Sequence, residues 1–129
     1  MAIGASITAG DPEYPGDTEE NGYREALRDQ LRFEGWKANM VGNLNRDSMS
    51  DNDHEVIGGE RVSAIAARGK ASAAVWLPNF VLINAGINDG AQNGDKESIG
   101  GTPAHMKQLV LGIFAEIPNA VVISTAAFS

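Results

Sequence analysis

The chain has 129 residues, 43% of them apolar and 21% charged, with a formal net charge of −7. That length makes one domain, residues 1–129, able to bury a real core, and the negative balance argues against nucleic acid or an anionic membrane as a partner. Cysteine is absent, which excludes disulfides and Cys-bound metal, and no apolar run is long enough to span a bilayer.

Met1 to Ile3 reads as the end of a strand. Gly4 allows a tight turn, and Ser6 sits on it. A serine at the carboxyl end of a parallel strand stands where α/β sheets place their sites. It is held on rigid backbone, near N–H groups that stabilise negative charge. A plain turn serine fits the same stretch. Asp11 to Asn21 is a polar loop punctuated by Pro12, Pro15 and Gly16, and Asp17 or Thr18 is placed to cap the next helix. In that helix Tyr23, Ala26, Leu27, Gln30 and Leu31 share an inward face. Arg24, Glu25, Arg28, Asp29 and Arg32 take the wet side, and Gly35 ends the helix. Trp36 to Val41 alternates as a half-buried strand, and Gly42 to Asp53 is polar loop.

From Glu60 to Arg68 the pattern is helical again, closed by Gly69. Ala71 to Trp76 is a second short helical piece, broken by Pro78-Asn79. Phe80 to Asn84 is nearly continuously apolar, as a central parallel strand is. Gly86 to Gly101 is a long polar loop, a length associated with function or mobility. Thr102-Pro103 starts an amphipathic helix whose Met106, Leu109, Val110, Ile113, Phe114 and Ile117 face inward. Ala120 to Ser124 is another buried strand. Strands alternate with helices throughout, which predicts a doubly wound α/β sheet.

In order, the chain carries a strand-end Gly4-Ala5-Ser6-Ile7-Thr8, a Gly58-Gly59 turn before a helix, and a strand-end Gly86-Ile87-Asn88-Asp89. This order resembles the SGNH (GDSL-type) hydrolases. Gly22-Tyr23-Arg24, Leu27, Leu31, Gly35-Trp36, Met40-Val41-Gly42 and Asp51-Asn52-Asp53-His54-Glu55 resemble its carbohydrate-esterase branch, such as acetyl xylan esterases. The resemblance covers nearly the whole chain and implies a three-layer α/β/α, flavodoxin-like fold of parallel strands. It implies a serine esterase acting on carboxylic esters, acetyl esters of carbohydrates among them, through an acyl-Ser6 intermediate. It also implies a secreted protein, although no signal peptide precedes the first strand.

By this resemblance Ser6 is the nucleophile. Its backbone N–H, the N–H of Gly59 and the side-chain amide of Asn88 form the oxyanion hole. The chemistry is sound on its own terms. Gly59 brings backbone to a ligand with no Cβ in the way, and Asn88 is a neutral donor for developing charge. Each residue alone also fits a cap or a turn; the three in this order favour the site. No cofactor and no metal are expected. The alternating carboxylates of Asp51, Asp53 and Glu55 have the spacing of calcium ligands on a loop, but a full loop motif is missing and a solvated acidic turn fits better.

Two departures from the family pattern stand out. Ala5 replaces the Asp of the family's name-motif. The family's carboxyl-terminal Asp-x-x-His block, source of the catalytic base, has no match. The two histidines are His54 and His105. His105 falls in the first turn of a helix. His54 lies among carboxylates, which are expected to keep it protonated and a poor base. The expectation is therefore an N-terminal fragment of a catalytic domain, with the block on a second polypeptide or on a lost segment. The alternative is a catalytically incomplete SGNH-fold protein that binds a glycan or a partner chain. A phosphate or nucleotide binder of similar fold is disfavoured, because no Gly-rich phosphate loop follows the first strand.

Overall fold

The computed structural model describes residues 1–11, 21–92 and 98–126. The caps expected at Asp17 and Thr18 lie outside them. Five strands form one sheet: β1 (Ala2–Gly4), β2 (Leu44–Asn45), β3 (Asp53–Val56), β4 (Phe80–Ala85) and β5 (Val121–Ala126). Their order is β2-β3-β1-β4-β5. β3, β1, β4 and β5 run parallel, with Ile3 beside Glu55 and Ile83, and Ile83 beside Ser124; β2 pairs antiparallel with β3. This is the doubly wound, flavodoxin-like arrangement expected of an SGNH hydrolase.

The helices are α1 (Ser6–Ala9), α2 (Tyr23–Phe33), α3 (Val62–Trp76), α4 (Ile87–Ala91) and α5 (Thr102–Glu116). The core lies between the sheet and the α3–α5 pair. Ile3, Val62, Ile65, Val81, Ile83, Leu109 and Ile113 meet there, essentially fully buried. Each such side chain contributes about 1.5–3 kcal/mol relative to exposure. The expected inward face of α5 is the observed one: Met106, Leu109 and Ile113 are buried.

Several local expectations are corrected. Trp36 to Val41 forms no strand. Its backbone bonds locally and to a side chain: Ala38 N–H donates to Trp36 O at 3.0 Å, and Met40 N–H to the Asp51 carboxylate at 3.2 Å. The strand beside β1 comes instead from the acidic run, where Asp53–Val56 is β3 and His54 and Glu55 are buried. α3 continues through Gly69 to Trp76. A Cβ at Gly69 would sit 2.9 Å from Leu109 Cδ1 and 3.3 Å from Ile3 Cδ1, so this glycine serves close packing and not helix termination. In α2 the buried residues are Arg24 and Arg28, while Ala26 and Gln30 are exposed. The arginines are inside because Arg24 pairs with Asp47 and Arg28 with Asp51; buried charge is tolerated when paired. Gly86 to Gly101 is not all loop, since α4 begins at Ile87.

The other face of β4 and β5 is open. Phe80, Val121 and Ile123 are 40%, 52% and 47% exposed. Val121 and Ile123 were expected to be buried; they alternate with half-buried Val122 on an edge strand covered on one side.

Candidate active site

β1 lies between β3 and β4, so successive connections leave it in opposite directions. The carboxyl ends of strands at such a switch point frame a crevice. The three candidate residues follow those ends: Ser6 follows β1, Gly59 follows β3 and Asn88 follows β4.

Ser6 opens the four-residue helix α1, which ends at left-handed Gly10, φ +79°. Gly4 is required by close approach, because a Cβ there would collide with the carbonyl oxygen of Asn84 and the hydroxyl of Thr8. The far end of α1 is sealed by Arg24, which is fully buried. Its Nε donates to Thr8 O at 2.9 Å, one terminal nitrogen donates to Ala9 O at 3.2 Å, and the guanidinium pairs with Asp47.

Gly86, at φ +111°, turns the chain from β4 into α4 and presents Asn88. Residues Ala5 to Ile7 on one side and Asn84 to Asn88 on the other line a single pocket. Ser6 and Asn88 are thus brought together. The Asn88 amide donates one hydrogen to Glu60 O at 2.9 Å, and an amide nitrogen carries two. Gly59 does not line this pocket. It sits exposed at φ +77°, one residue before the Glu60 that Asn88 binds, and Gln92 Nε2 donates to its carbonyl at 3.0 Å.

Neither histidine lines the pocket. His54 is 1% exposed, and its Nδ1 accepts from Val56 N–H at 3.1 Å. Contrary to the expectation of a protonated ring, burial lowers its pKa from 6.5, the charge of Arg24 acts in the same direction, and the opposing carboxylates Asp47 and Glu55 do not outweigh them. The acidic run is not a solvated loop: Asp51 accepts from Arg28 at 2.8 Å, and buried Glu55 accepts from Ser72 Oγ at 2.6 Å and Arg68 at 3.0 Å.

The sequence profile of the GDSL-like lipase/acylhydrolase family matches residues 1–127. The chain belongs to this hydrolase family. A Clostridium thermocellum family 3 carbohydrate esterase superposes with a TM-score of 0.81 at 26% identity, covering 96% of this chain and 58% of that one. A family 3 carbohydrate esterase from Talaromyces cellulolyticus gives 0.74 at 22% identity, covering 96% and 59%. A mutant acetyl esterase with an acetate ion gives 0.72 at 22% identity, also covering 96% and 59%. This GDSL-family chain spans under three fifths of the length of these structures. No curated protein matches it.

Arg24, Asp47, Asp89 and Gln92, to which the sequence assigned no role in the site, fasten the elements that carry it. Asp89 stands next to Asn88 in the Gly-Ile-Asn-Asp block, which was the available signal for it. Arg24 read as a solvated residue, because nothing local announces that Asp47 meets it.

Proposed function

We propose that this chain is the nucleophile-bearing part of a serine esterase acting on carboxylic esters, with acetyl esters of carbohydrates as the substrate class. The observation that carries the reading is the common pocket of Ser6 and Asn88 at the ends of β1 and β4. Ser6 Oγ attacks the acyl carbon while its proton passes to a base. The ester C–O bond then breaks, the alcohol leaves with that proton, and water hydrolyses the acyl-Ser6 ester. Oxyanion charge is taken by the N–H of Ser6, the second N–H of the Asn88 amide and the N–H of Gly59. Gly59 stands outside the pocket lining, and it is tied to Asn88 through its neighbour Glu60, whose carbonyl accepts from the Asn88 amide. The substrate class draws on the similarity to carbohydrate and acetyl esterases, and so does an extracellular location.

The base is proposed to come from an Asp-x-x-His block outside residues 1–129, carried on a further segment or on a second polypeptide. The open edge of β5 beside Val121 and Ile123 offers it a surface. A second reading, a glycan- or partner-binding protein without turnover, is favoured by the lack of any histidine lining the Ser6 pocket among the described residues.

Hydrolysis of an activated aryl acetate separates the two. The 129-residue chain alone is expected to be slow, with at most the roughly 10³–10⁴-fold acceleration that triad enzymes retain without a triad member. Added Asp-x-x-His polypeptide restores rate by orders of magnitude. Ser6→Ala then abolishes turnover, and Asn88→Ala lowers it about 10²–10³-fold. Fast turnover by the chain alone that is lost in His54→Ala would refute the assignment of the base; no turnover under any condition leaves the binding reading.

A further inference from the structure

Hydrogen bonds among the described residues fasten α4 and its C-cap Gln92 to the segment entering α3. Gln92 Nε2 donates to Gly59 O at 3.0 Å. Asn88 Nδ2 donates to Glu60 O at 2.9 Å. Arg61 Nε donates to Gln92 Oε1 at 3.2 Å, and Val62 N–H donates to Asp89 Oδ2 at 3.1 Å. Residues Gly59 to Val62 are thus each bound, in sequence, by α4 and its C-cap Gln92. Asn88 and Gln92 are one helical turn apart and share a face. Asp89 is 2% exposed, and its other oxygen accepts from Thr102 Oγ1 at 3.0 Å, at the start of α5. Its carboxyl group therefore ties α4 to the first residues of both α3 and α5.

We propose that Gln92 and Asp89 are positioning residues that hold the Gly59 peptide and the Asn88 amide in one frame. The proposal rests on the reading of Gly59 and Asn88 as oxyanion donors. A donor pair is useful only when held to within about 0.5 Å of its working geometry. Gly59 needs outside support, because it is exposed, at φ +77°, with no side chain of its own to pack. A glycine in open space swings freely about its backbone bonds. Gln92 fixes its carbonyl, and so the rotation on one side of the residue. The side chain must be an amide, since it donates to Gly59 O and accepts from Arg61 Nε at once. A carboxylate would keep the arginine and repel the carbonyl oxygen. Asp89 acts at the other end. It anchors the backbone that carries Asn88, so that the Asn88 amide and the Glu60 carbonyl stay in register.

The test uses the isotope-labelled chain and the NMR signals of the Gly59 backbone amide and the Asn88 side-chain amide. Gln92 is partly exposed, so Gln92→Ala is expected to fold with little loss of stability. In it the Gly59 and Asn88 signals move together and exchange faster with solvent. Gln92→Glu moves Gly59 as far as Gln92→Ala does while leaving the Arg61 side-chain signal near its place. Asp89→Asn shifts Asn88 and Val62. Where turnover is measurable, Gln92→Ala lowers kcat by about tenfold with KM unchanged, the mark of an interaction made in the transition state. The proposal is overturned if the Gly59 and Asn88 signals stay in place in Gln92→Ala, whatever Asp89→Asn does. Failure of the esterase reading looks different: Ser6→Ala keeps full turnover, while the coupled NMR shifts remain.

Discussion

Arg24 Nε donates to the carbonyl oxygen of Thr8 at 2.9 Å, across the gap between α2 and the end of α1. This bond places a fixed positive charge at the carboxyl end of the short helix that Ser6 begins, where helix carbonyls lack partners. Gly22 permits the approach: a Cβ there would come within 2.9 Å of the carbonyls of Ile7 and Thr8. Arg24 is 0% exposed, and its partner Asp47 has a side chain 3% exposed. Arg24→Ala therefore leaves a buried carboxylate with only the half-exposed Arg46, at 3.3 Å, as its cation. We expect a loss of about 3–5 kcal/mol, read from urea unfolding. A loss below about 1 kcal/mol, the range of a surface ion pair, would mean that the pair is not buried in solution.

His54 gives the protein an acid-side weakness. Its folded-state pKa lies below the unfolded value of 6.5, first because of burial and then because of Arg24. The folded state thus binds fewer protons than the unfolded chain near that value. This contribution to stability is complete above pH 6.5 and declines as pH falls through it towards the folded-state pKa. Protonating Nδ1 also removes the acceptor of the Val56 N–H. Urea midpoints measured from neutral pH downwards should fall, and His54→Gln should flatten that slope. An unchanged slope in the variant would assign the acid sensitivity to the carboxylates.

The open face of β4 and β5 is expected to bind an apolar dye. Phe80, Val121 and Ile123 are 40%, 52% and 47% exposed and adjacent in register, with Phe80 beside Val121 and Leu82 beside Ile123. Clustered exposed apolar side chains mark interaction surfaces. Val121→Lys with Ile123→Lys should cut anilinonaphthalene-sulfonate fluorescence and raise solubility, and each surface change should alter stability by only about 0.5 kcal/mol. Dye binding that survives both substitutions would place the apolar surface elsewhere.

Some of this was legible along the chain. Phe80 to Asn84 announced a central strand through its apolar run, and β4 is that strand. Met106, Leu109 and Ile113 announced the inward face of α5 through their spacing. Ser6 and Asn88 were read as strand-end residues and follow β1 and β4; Gly59, read as a turn before a helix, stands between β3 and α3. By contrast, the carboxylates of Asp51, Asp53 and Glu55 looked like a solvated acidic turn, yet Asp53–Val56 is β3 with His54 and Glu55 buried.

By itself the sequence determined the alternation of strands and helices, the family and the positions of the candidate residues. Those properties depend on local periodicity and on turn chemistry, which neighbouring residues specify. Tertiary structure decided which charges go inside. Arg24 is buried because Asp47 meets it, and Glu55 because Ser72 and Arg68 do. It also decided that Asn88 shares a pocket with Ser6 while Gln92 and Asp89 grip the Gly59–Val62 segment. A buried polar group is stable only with its partner in place, and those partners lie 13 to 33 positions away along the chain. Only the folded chain brings them within hydrogen-bonding distance.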